Sequence, residues 1–235
     1  MDGLLSDALK SHSQLLEVMM QPREPRPLVV NNSWAVFHPS WDWPVETSQN
    51  YSHNRNHPFN IIVGSLEEVG ADILFAAGNC GPKCPDARCQ GVTDAGILGA
   101  NSHPSVLCVA GVTKDGRLLG YSSHGPGTLE PKKPDIACYT HFAGSGVDAV
   151  DSGTSAATPV AAGEVAAIRQ LYPPGVVSPA RLRALIRQTA TRVTDAEFDH
   201  GYGYGIINVT ALLAALEAEG GGSPPAPPKP RKKGK

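Results

Sequence analysis

Apolar residues along this chain follow two kinds of pattern, which alternate along the sequence. Continuous apolar runs predict three buried strands, at 28–36, 72–79 and 105–112. Helical spacing of apolar residues predicts five helices, at 1–21, 58–70, 155–172, 178–193 and 208–219. The stretch "KDGRLLGYSS" predicts a turn that leads into a further short strand. Strands that alternate with helices favour an α/β fold of three layers, with a mostly parallel sheet between helices on both faces.

Turn-forming residues mark the ends of these elements. Gly70 ends the second helix and Pro173 stops the long one. Ser178 followed by Pro179 is a strong signal for a helix start. No internal repeat is visible, so we expect residues 1–219 to form one domain.

The last stretch, 220–235, is rich in proline and glycine and is predicted to be a disordered tail. It carries five basic residues, which leaves 15 basic against 22 acidic residues in the rest of the chain. The tail is too short a basic cluster to indicate a nucleic-acid partner. No apolar run approaches the length of a membrane span, and the first residues lack the pattern of a signal peptide. We therefore expect neither a nucleic-acid nor a membrane partner.

A serine lies among small residues in "DSGTSAATPVAAG", just ahead of the long helix. Gly153 permits a tight turn there. The free N–H groups and the dipole of a helix start favour negative charge near Ser155. A serine hydroxyl is a poor nucleophile until a base removes its proton. Ser155 is therefore a candidate nucleophile, and helix capping is the alternative role.

Asn79 is the second candidate, because it ends a buried strand in "AAGN" among very small neighbours. An amide NH₂ aimed into a cleft can donate to an oxyanion as it forms on a carbonyl under attack. The alternative is a turn-forming asparagine ahead of Cys80 and Gly81.

Taken in order, six segments resemble those of the subtilisin-like serine proteases, the subtilases. They are "VVNNSWA", "ILFAAGNCG", "PSVLCVAGVTKDGRLLGYSSHGPG", "KPDIACY", "GTSAATPVAAG" and "GYGYGIINVTALL". The resemblance covers roughly residues 20–216. It implies a subtilisin-like fold, with Ser155 as nucleophile and with the Asn79 amide and the Ser155 N–H as oxyanion donors. It also implies hydrolysis of polypeptide substrates, and neither a metal nor a cofactor is expected.

The same resemblance implies that an extended polypeptide binds between two backbone edges. These edges correspond to Ser33, Trp34 and Ala35 on one side and to Ala76, Ala77 and Gly78 on the other. At Trp34 and Ala35 the family more often has an aliphatic residue and a glycine. We therefore expect the bulky indole of Trp34 to narrow or cover an apolar pocket.

The catalytic aspartate and histidine of the family have no counterpart in this sequence. Their contexts, Asp-Ser/Thr-Gly and His-Gly-Thr/Ser, are absent. Asp151 belongs to the nucleophile turn itself, and His124 falls in a segment matched to another part of the family. Ordinary surface or loop roles are expected for the other histidines: His12, His38, His53, His57, His103, His141 and His200.

This absence determines what the chain is expected to do alone. In subtilisin itself, loss of the histidine lowers the rate on the order of a millionfold. We therefore expect the chain to be the C-terminal portion of a subtilase catalytic domain, N-terminally incomplete and nearly inactive. A missing N-terminal segment would supply Asp and His.

Three of the five cysteines crowd into "NCGPKCPDARC", directly after Asn79. We expect a disulfide among Cys80, Cys84 and Cys89, with the pairing open, which would imply an oxidising compartment. Zinc binding is less favoured, because the C-x₃-C-x₄-C spacing fits no common site. Cys108 and Cys138 lie in apolar runs and are predicted to be buried thiols.

The sequence is compatible with two functions. The first is a serine endopeptidase whose intact form includes Asp and His, and the family resemblance favours export of that form. The second is a non-catalytic peptide-binding or interaction module that keeps the cleft. A nucleotide-binding domain is disfavoured, since no strand is followed by a phosphate-binding glycine loop.

Overall fold

The computed structural model of the protein describes residues 2–22 and 26–220. These residues form five α-helices: α1 (Asp2–Met20), α2 (Pro58–Glu68), α3 (Thr154–Leu171), α4 (Pro179–Thr189) and α5 (Val209–Ala218). They also form four strands: β1 (Leu28–Asn32), β2 (Ala71–Ala76), β3 (Val106–Val112) and β4 (Ile136–Tyr139). Of the predicted tail, only Gly220 belongs to the described residues.

The four strands form one parallel sheet in the order β1-β2-β3-β4. The crossover from β1 to β2 carries α2, whereas long loops without an α-helix connect β2 to β3 and β3 to β4. Parallel strands have their carboxyl ends along the same edge of a sheet. The segments that follow β1 and β2 are therefore brought side by side.

Two hydrophobic clusters lie on opposite faces of this sheet. Along β3 the side chains alternate, so that Val106 and Cys108 belong to one cluster and Leu107 and Val109 to the other. The first cluster is covered by α1 and α2, and the second by α3, α4 and α5. The predicted three-layer α/β architecture is confirmed. Among the described residues, no helix combines the length and the apolar character needed to cross a bilayer.

Two element predictions differ from the structure. The stretch "KDGRLLGYSS" begins with a turn, which is closed by a hydrogen bond from the N–H of Thr113, the residue before it, to the carbonyl of Arg117 (2.9 Å). A single bridge between Leu118 and Val112 then replaces the predicted strand. In contrast, β4 lies in "KPDIACY", which was not predicted as a strand. The sequence signal for β4 is weak because Lys133 and Asp135, just before it, are charged residues of a kind usually exposed. In the structure both side chains are fully buried as an ion pair with a 2.7 Å contact.

A second buried ion pair joins α3 to β2. Arg169 donates to both carboxylate oxygens of Asp72, at 2.5 Å and 2.7 Å, and the two residues are only 1% and 8% exposed. Burial raises the pKa of Asp72, although the guanidinium opposes this shift. Removing one partner of such a pair leaves the other charge buried and uncompensated.

We predict that Asp72→Asn lowers the free energy of unfolding by about 3 kcal/mol, because Arg169 keeps its charge without a counter-ion. Urea unfolding followed by circular dichroism measures this change. Asp115→Asn is the control, since Asp115 forms an exposed pair with Arg117 at 3.6 Å and should change stability by less than about 1 kcal/mol. Equal effects of the two substitutions would contradict the prediction.

Candidate active site

The helix α3 begins one residue before Ser155, directly after a glycine turn. Gly153 has a φ of +79°, a region that favours glycine. Its N–H donates to the Tyr121 hydroxyl at 2.9 Å, and its carbonyl accepts from the Thr140 hydroxyl at 2.9 Å. Ser155 therefore lies in the first helical turn, where its own N–H has no acceptor within the helix and the dipole is positive.

A proline four residues after Ser155 frees the carbonyl of that residue. Pro159 has no N–H to donate along the helix, and the Ser155 carbonyl instead accepts from the Ser33 hydroxyl at 2.9 Å. In return, Ser155 Oγ donates to the Ser33 carbonyl at 3.0 Å. These two bonds hold the segment after β1 against the start of α3.

The amide of Asn79 is held in one orientation by Thr154. Asn79 Oδ1 accepts from the Thr154 N–H at 3.0 Å and from the Thr154 hydroxyl at 2.9 Å. Asn79 Nδ2 lies beside the glycine turn: a Cβ placed on Gly153 would be 3.2 Å from it and 3.6 Å from the N of Ser155. Both nitrogen atoms therefore lie within 4 Å of one point beside the turn. Two such donors are what an oxyanion needs.

No histidine within the described residues is hydrogen-bonded to Ser155 Oγ, which has the Ser33 carbonyl as its partner. A peptide carbonyl accepts a hydrogen bond but does not act as a general base near neutral pH. Five histidines have bonds elsewhere: His12 with Ala8, His38 with Ser40, His57 with Phe59, His103 with Ser105 and His141 with Tyr121. Within the described residues, Ser155 Oγ thus has no basic side chain as its hydrogen-bond partner.

The segment after β1 leaves part of its main chain available. The Trp34 carbonyl is taken by Asn101 Nδ2 at 2.7 Å. The peptide groups of Ala35, by contrast, have no hydrogen bond within the described residues. Ser33 and Ala35 are two residues apart, the spacing at which an extended chain presents peptide groups to the same side. This segment can therefore form an edge for an extended polypeptide.

The main chain of the segment after β2 is largely hydrogen-bonded within the protein. Gly78 donates its N–H to the Thr154 hydroxyl at 3.2 Å and accepts from the Ser123 N–H at 2.9 Å. The Ala76 carbonyl accepts from Asn101 at 2.8 Å, and the Ala77 N–H donates to β3 at 2.9 Å. Few main-chain groups of Ala76, Ala77 and Gly78 remain without a partner, and their role in substrate binding stays a prediction.

The Trp34 indole packs into the core instead of over a pocket. Its ring lies 5.2 Å from that of Phe75 and 5.6 Å from that of Phe59, between centroids. The methyl group of Ala35 lies only 3.6 Å from where a Cβ on Gly78 would be. Ala35 therefore lies close to Gly78. The expectation that the indole would narrow or cover an apolar pocket is not met, because it packs against core rings.

A groove of about 450 Å³ adjoins Ser155. Phe142, Asp148, Asp151 and Pro159 line it together with Ser155, and no residue of 33–35 or 76–78 does. Asp151 Oδ2 is buried and has no hydrogen-bond partner among the described residues. The two carboxylates favour cationic groups over anionic ones in this groove.

A disulfide closes the loop that follows Asn79. Cys80 and Cys89 are bonded, while Cys84 is free and exposed and Cys108 and Cys138 are buried thiols. The predicted bridge and both buried thiols are confirmed. The Asn79 carbonyl accepts from the N–H of Asp86 at 2.9 Å, so a residue inside this loop is hydrogen-bonded to the main chain of Asn79.

Sequence reasoning missed three residues that hold the site together: Thr154, Asn101 and Tyr121. The sequence feature that could have identified Thr154 is its position between Gly153 and the candidate nucleophile Ser155. Asn101 is completely buried and ties the segments after β1 and β2 together. Tyr121 has no comparable sequence signal, because its contact with Gly153 spans 32 positions.

A family model described as "Subtilase family" matches residues 6–205 of this chain. The chain is 32% identical over 162 residues to an extracellular protease of Xanthomonas campestris pv. campestris. This alignment covers 66% of this chain and 25% of that protein. It is 27% identical over 180 residues to the serine protease AprX of Bacillus subtilis, and this alignment covers 67% of this chain and 38% of AprX. It is 32% identical over 146 residues to subtilisin DY of Bacillus licheniformis, and this alignment covers 60% of this chain and 46% of subtilisin DY. The chain thus spans less than half the length of these relatives.

Solved structures with the same fold include the patellamide maturation protease PatA and MycP1 with its N-terminal propeptide removed. The first superposes with a TM-score of 0.59 at 19% identity, covering 90% of this chain and 69% of the other. The second superposes with a TM-score of 0.62 at 21% identity, covering 90% of this chain and 67% of the other. At these identities the likeness concerns the fold alone.

The state of the five cysteines gives a direct test. We expect three reactive thiols per chain when the protein is unfolded without a reducing agent, because Cys80 and Cys89 are bonded. In the folded protein only exposed Cys84 should react with a maleimide, since Cys108 and Cys138 are buried and burial raises the pKa of Cys138 to about 12. Titration with a thiol reagent before and after unfolding counts them. Five thiols after unfolding would contradict the disulfide, and a Cys84→Ser variant should show none in the folded state.

Proposed function

This chain belongs to the subtilase family, and on that premise we propose that it forms the nucleophile-bearing part of a serine endopeptidase active site. The observation that carries the proposal is the double hydrogen bond from Thr154 to Asn79 Oδ1, which leaves Nδ2 beside the turn ahead of Ser155. The relatives of this chain are named as proteases, which supports hydrolysis as the type of reaction.

In this proposal, Ser155 Oγ attacks the carbonyl carbon of a peptide bond. The negative charge that develops on the carbonyl oxygen is bound by Asn79 Nδ2 and by the Ser155 N–H. The main chain of Ser33 and Ala35 pairs with the extended substrate, and the segment 76–78 forms the opposite wall. Collapse of the tetrahedral intermediate expels the amine and leaves an acyl group on Ser155, which water then hydrolyses.

We further propose that the imidazole base and its orienting aspartate come from a segment outside these residues. Ser155 Oγ now donates its proton to the Ser33 carbonyl, which cannot accept it fully. In the complete site, an imidazole would take over this hydrogen bond. The isolated chain should then hydrolyse casein hardly faster than a Ser155→Ala variant, because only the oxyanion donors and the cleft remain.

Free imidazole can stand in for the missing base in a labelling experiment. A fluorophosphonate probe reacts when Ser155 Oγ attacks phosphorus, fluoride leaves and a base takes the proton. We predict that the labelling rate of the isolated chain rises with imidazole concentration. Asn79→Ala should lower the imidazole-dependent rate on the order of a hundredfold, the magnitude known for loss of this donor in subtilisin. Mass spectrometry of the labelled protein gives both the rate and the site.

Two controls make the outcome specific. Ser155→Ala should remove labelling, and Asn56→Ala, which changes an exposed asparagine in the loop before α2, should leave the rate unchanged. Labelling at another serine, or equal rates for Asn79→Ala and the wild type, would argue against the proposed roles.

A second candidate function is a peptide-binding module that has kept the cleft without chemistry. It is favoured by one observation, the Ser155–Ser33 pair, which engages the hydroxyl in a stable main-chain contact. This function predicts that the chain binds extended peptides while Ser155 stays unlabelled at every imidazole concentration.

A further inference from the structure

Tyr121 contacts both sides of the proposed oxyanion site. Its hydroxyl accepts the N–H of Gly153 at 2.9 Å, two residues before Ser155. Its carbonyl accepts the N–H of Gly81 at 2.7 Å, two residues after Asn79. One residue thus connects the turn that carries one donor with the loop that carries the other.

The neighbours of Tyr121 hold the Asn79 loop from the same strip of chain. The Ser123 hydroxyl accepts the Cys80 N–H at 2.9 Å, and the Ser123 N–H donates to the Gly78 carbonyl at 2.9 Å. Thus three residues on the two sides of Asn79, namely Gly78, Cys80 and Gly81, are hydrogen-bonded through their main chains to Tyr121 and Ser123. On the side of Ser155, this strip contacts the turn through the Tyr121 hydroxyl bond to Gly153.

The Tyr121 hydroxyl has a second partner in His141. The Tyr121 oxygen accepts from Gly153 and lies 2.9 Å from Nε2 of His141. A phenol has one proton, so the arrangement is satisfied when Tyr121 donates to a neutral His141 ring that carries its hydrogen on Nδ1. Burial raises the pKa of Tyr121, which keeps the hydroxyl protonated.

The backbone of His141 lies in the left-handed region. Its φ is +63°, and Gln90 is the other non-glycine residue with positive φ among the described residues. A left-handed backbone is uncommon for a residue other than glycine, although histidine adopts it more readily than most. Here it places the imidazole against the Tyr121 ring, with centroids 5.8 Å apart.

We propose that Tyr121 is a positioning residue: its hydroxyl, oriented by His141, fixes the turn at Gly153 and thereby the spacing between the Ser155 N–H and Asn79 Nδ2. This inference rests on the proposed function, because it concerns the two oxyanion donors. Tyr121 itself touches neither the substrate nor the reacting atoms in this account. Its effect is confined to how well the two donors converge on one oxygen.

The test measures oxyanion binding without requiring catalysis. Tetra-alanine with a fluorescent label at its amino end is titrated by anisotropy, either with a free C-terminal carboxylate or as the C-terminal carboxamide. A carboxylate oxygen stands in for the oxyanion, so the wild-type chain should bind the carboxylate form about tenfold more tightly. We predict that Tyr121→Phe lowers this preference about fivefold, with little change in binding of the carboxamide.

Tyr202→Phe is the matched control. The Tyr202 hydroxyl accepts a main-chain N–H, that of Leu118, at the same 2.9 Å distance, so the substitution deletes the same kind of bond away from the turn. It should leave the carboxylate preference unchanged. His141→Ala should lower the preference in the wild type and add nothing in the Tyr121→Phe background, because the two side chains act through one bond.

The outcomes separate the two proposals. If the wild type shows no carboxylate preference and Asn79→Ala behaves identically, the oxyanion site itself is refuted, and the proposed function with it. If Asn79→Ala abolishes the preference while Tyr121→Phe retains it, the positioning role is overturned and the proposed function stands. A loss in Tyr202→Phe equal to that in Tyr121→Phe would also overturn it, since the effect would then be general loosening.

Discussion

The arrangement of this site depends on two hydrogen bonds from one threonine to one amide oxygen. Thr154 starts α3, and Asn79 lies three residues beyond the last residue of β2. When the N–H and the hydroxyl of Thr154 both donate to Asn79 Oδ1, the helix start and the strand end become one unit. The orientation of the Asn79 NH₂ then follows from the occupied oxygen. Charge stabilisation by fixed dipoles is effective because such dipoles need not reorganise as charge develops.

The sheet and the small residues of α3 make this contact possible. Ala157 and Ala161 are completely buried, so α3 can lie close to the strands beneath it. Parallel pairing of β1 with β2 brings Ser33 and Gly78 to the same edge, where Asn101 ties their neighbours together. The disulfide and the strip 121–123 then hold the Asn79 loop from the outside. Each element thus contributes to the position of a few polar atoms.

The sequence predicted the layers and most elements because apolar periodicity reflects burial directly. It predicted β4 poorly, because Lys133 and Asp135 are charged residues whose burial depends on each other and on Arg187 from α4. Ser155 and Asn79 are candidates from their local settings and from the resemblance to subtilases, and their roles stay predictions. Asn101 and Tyr121 were not identified from the sequence, because their bonds join positions far apart in it. The hydrogen bonds that occupy the main chain of 76–78 could not be predicted either, since they depend on which strands flank the segment.

The proline within α3 has a consequence for how the serine can move. Because Pro159 leaves the Ser155 carbonyl to Ser33, the backbone of Ser155 is anchored separately from its side chain. The hydroxyl can rotate away from the Ser33 carbonyl while the second bond between the two residues persists. A reaction at Oγ would then require a single torsional adjustment, and the amide beside it would stay stationary throughout.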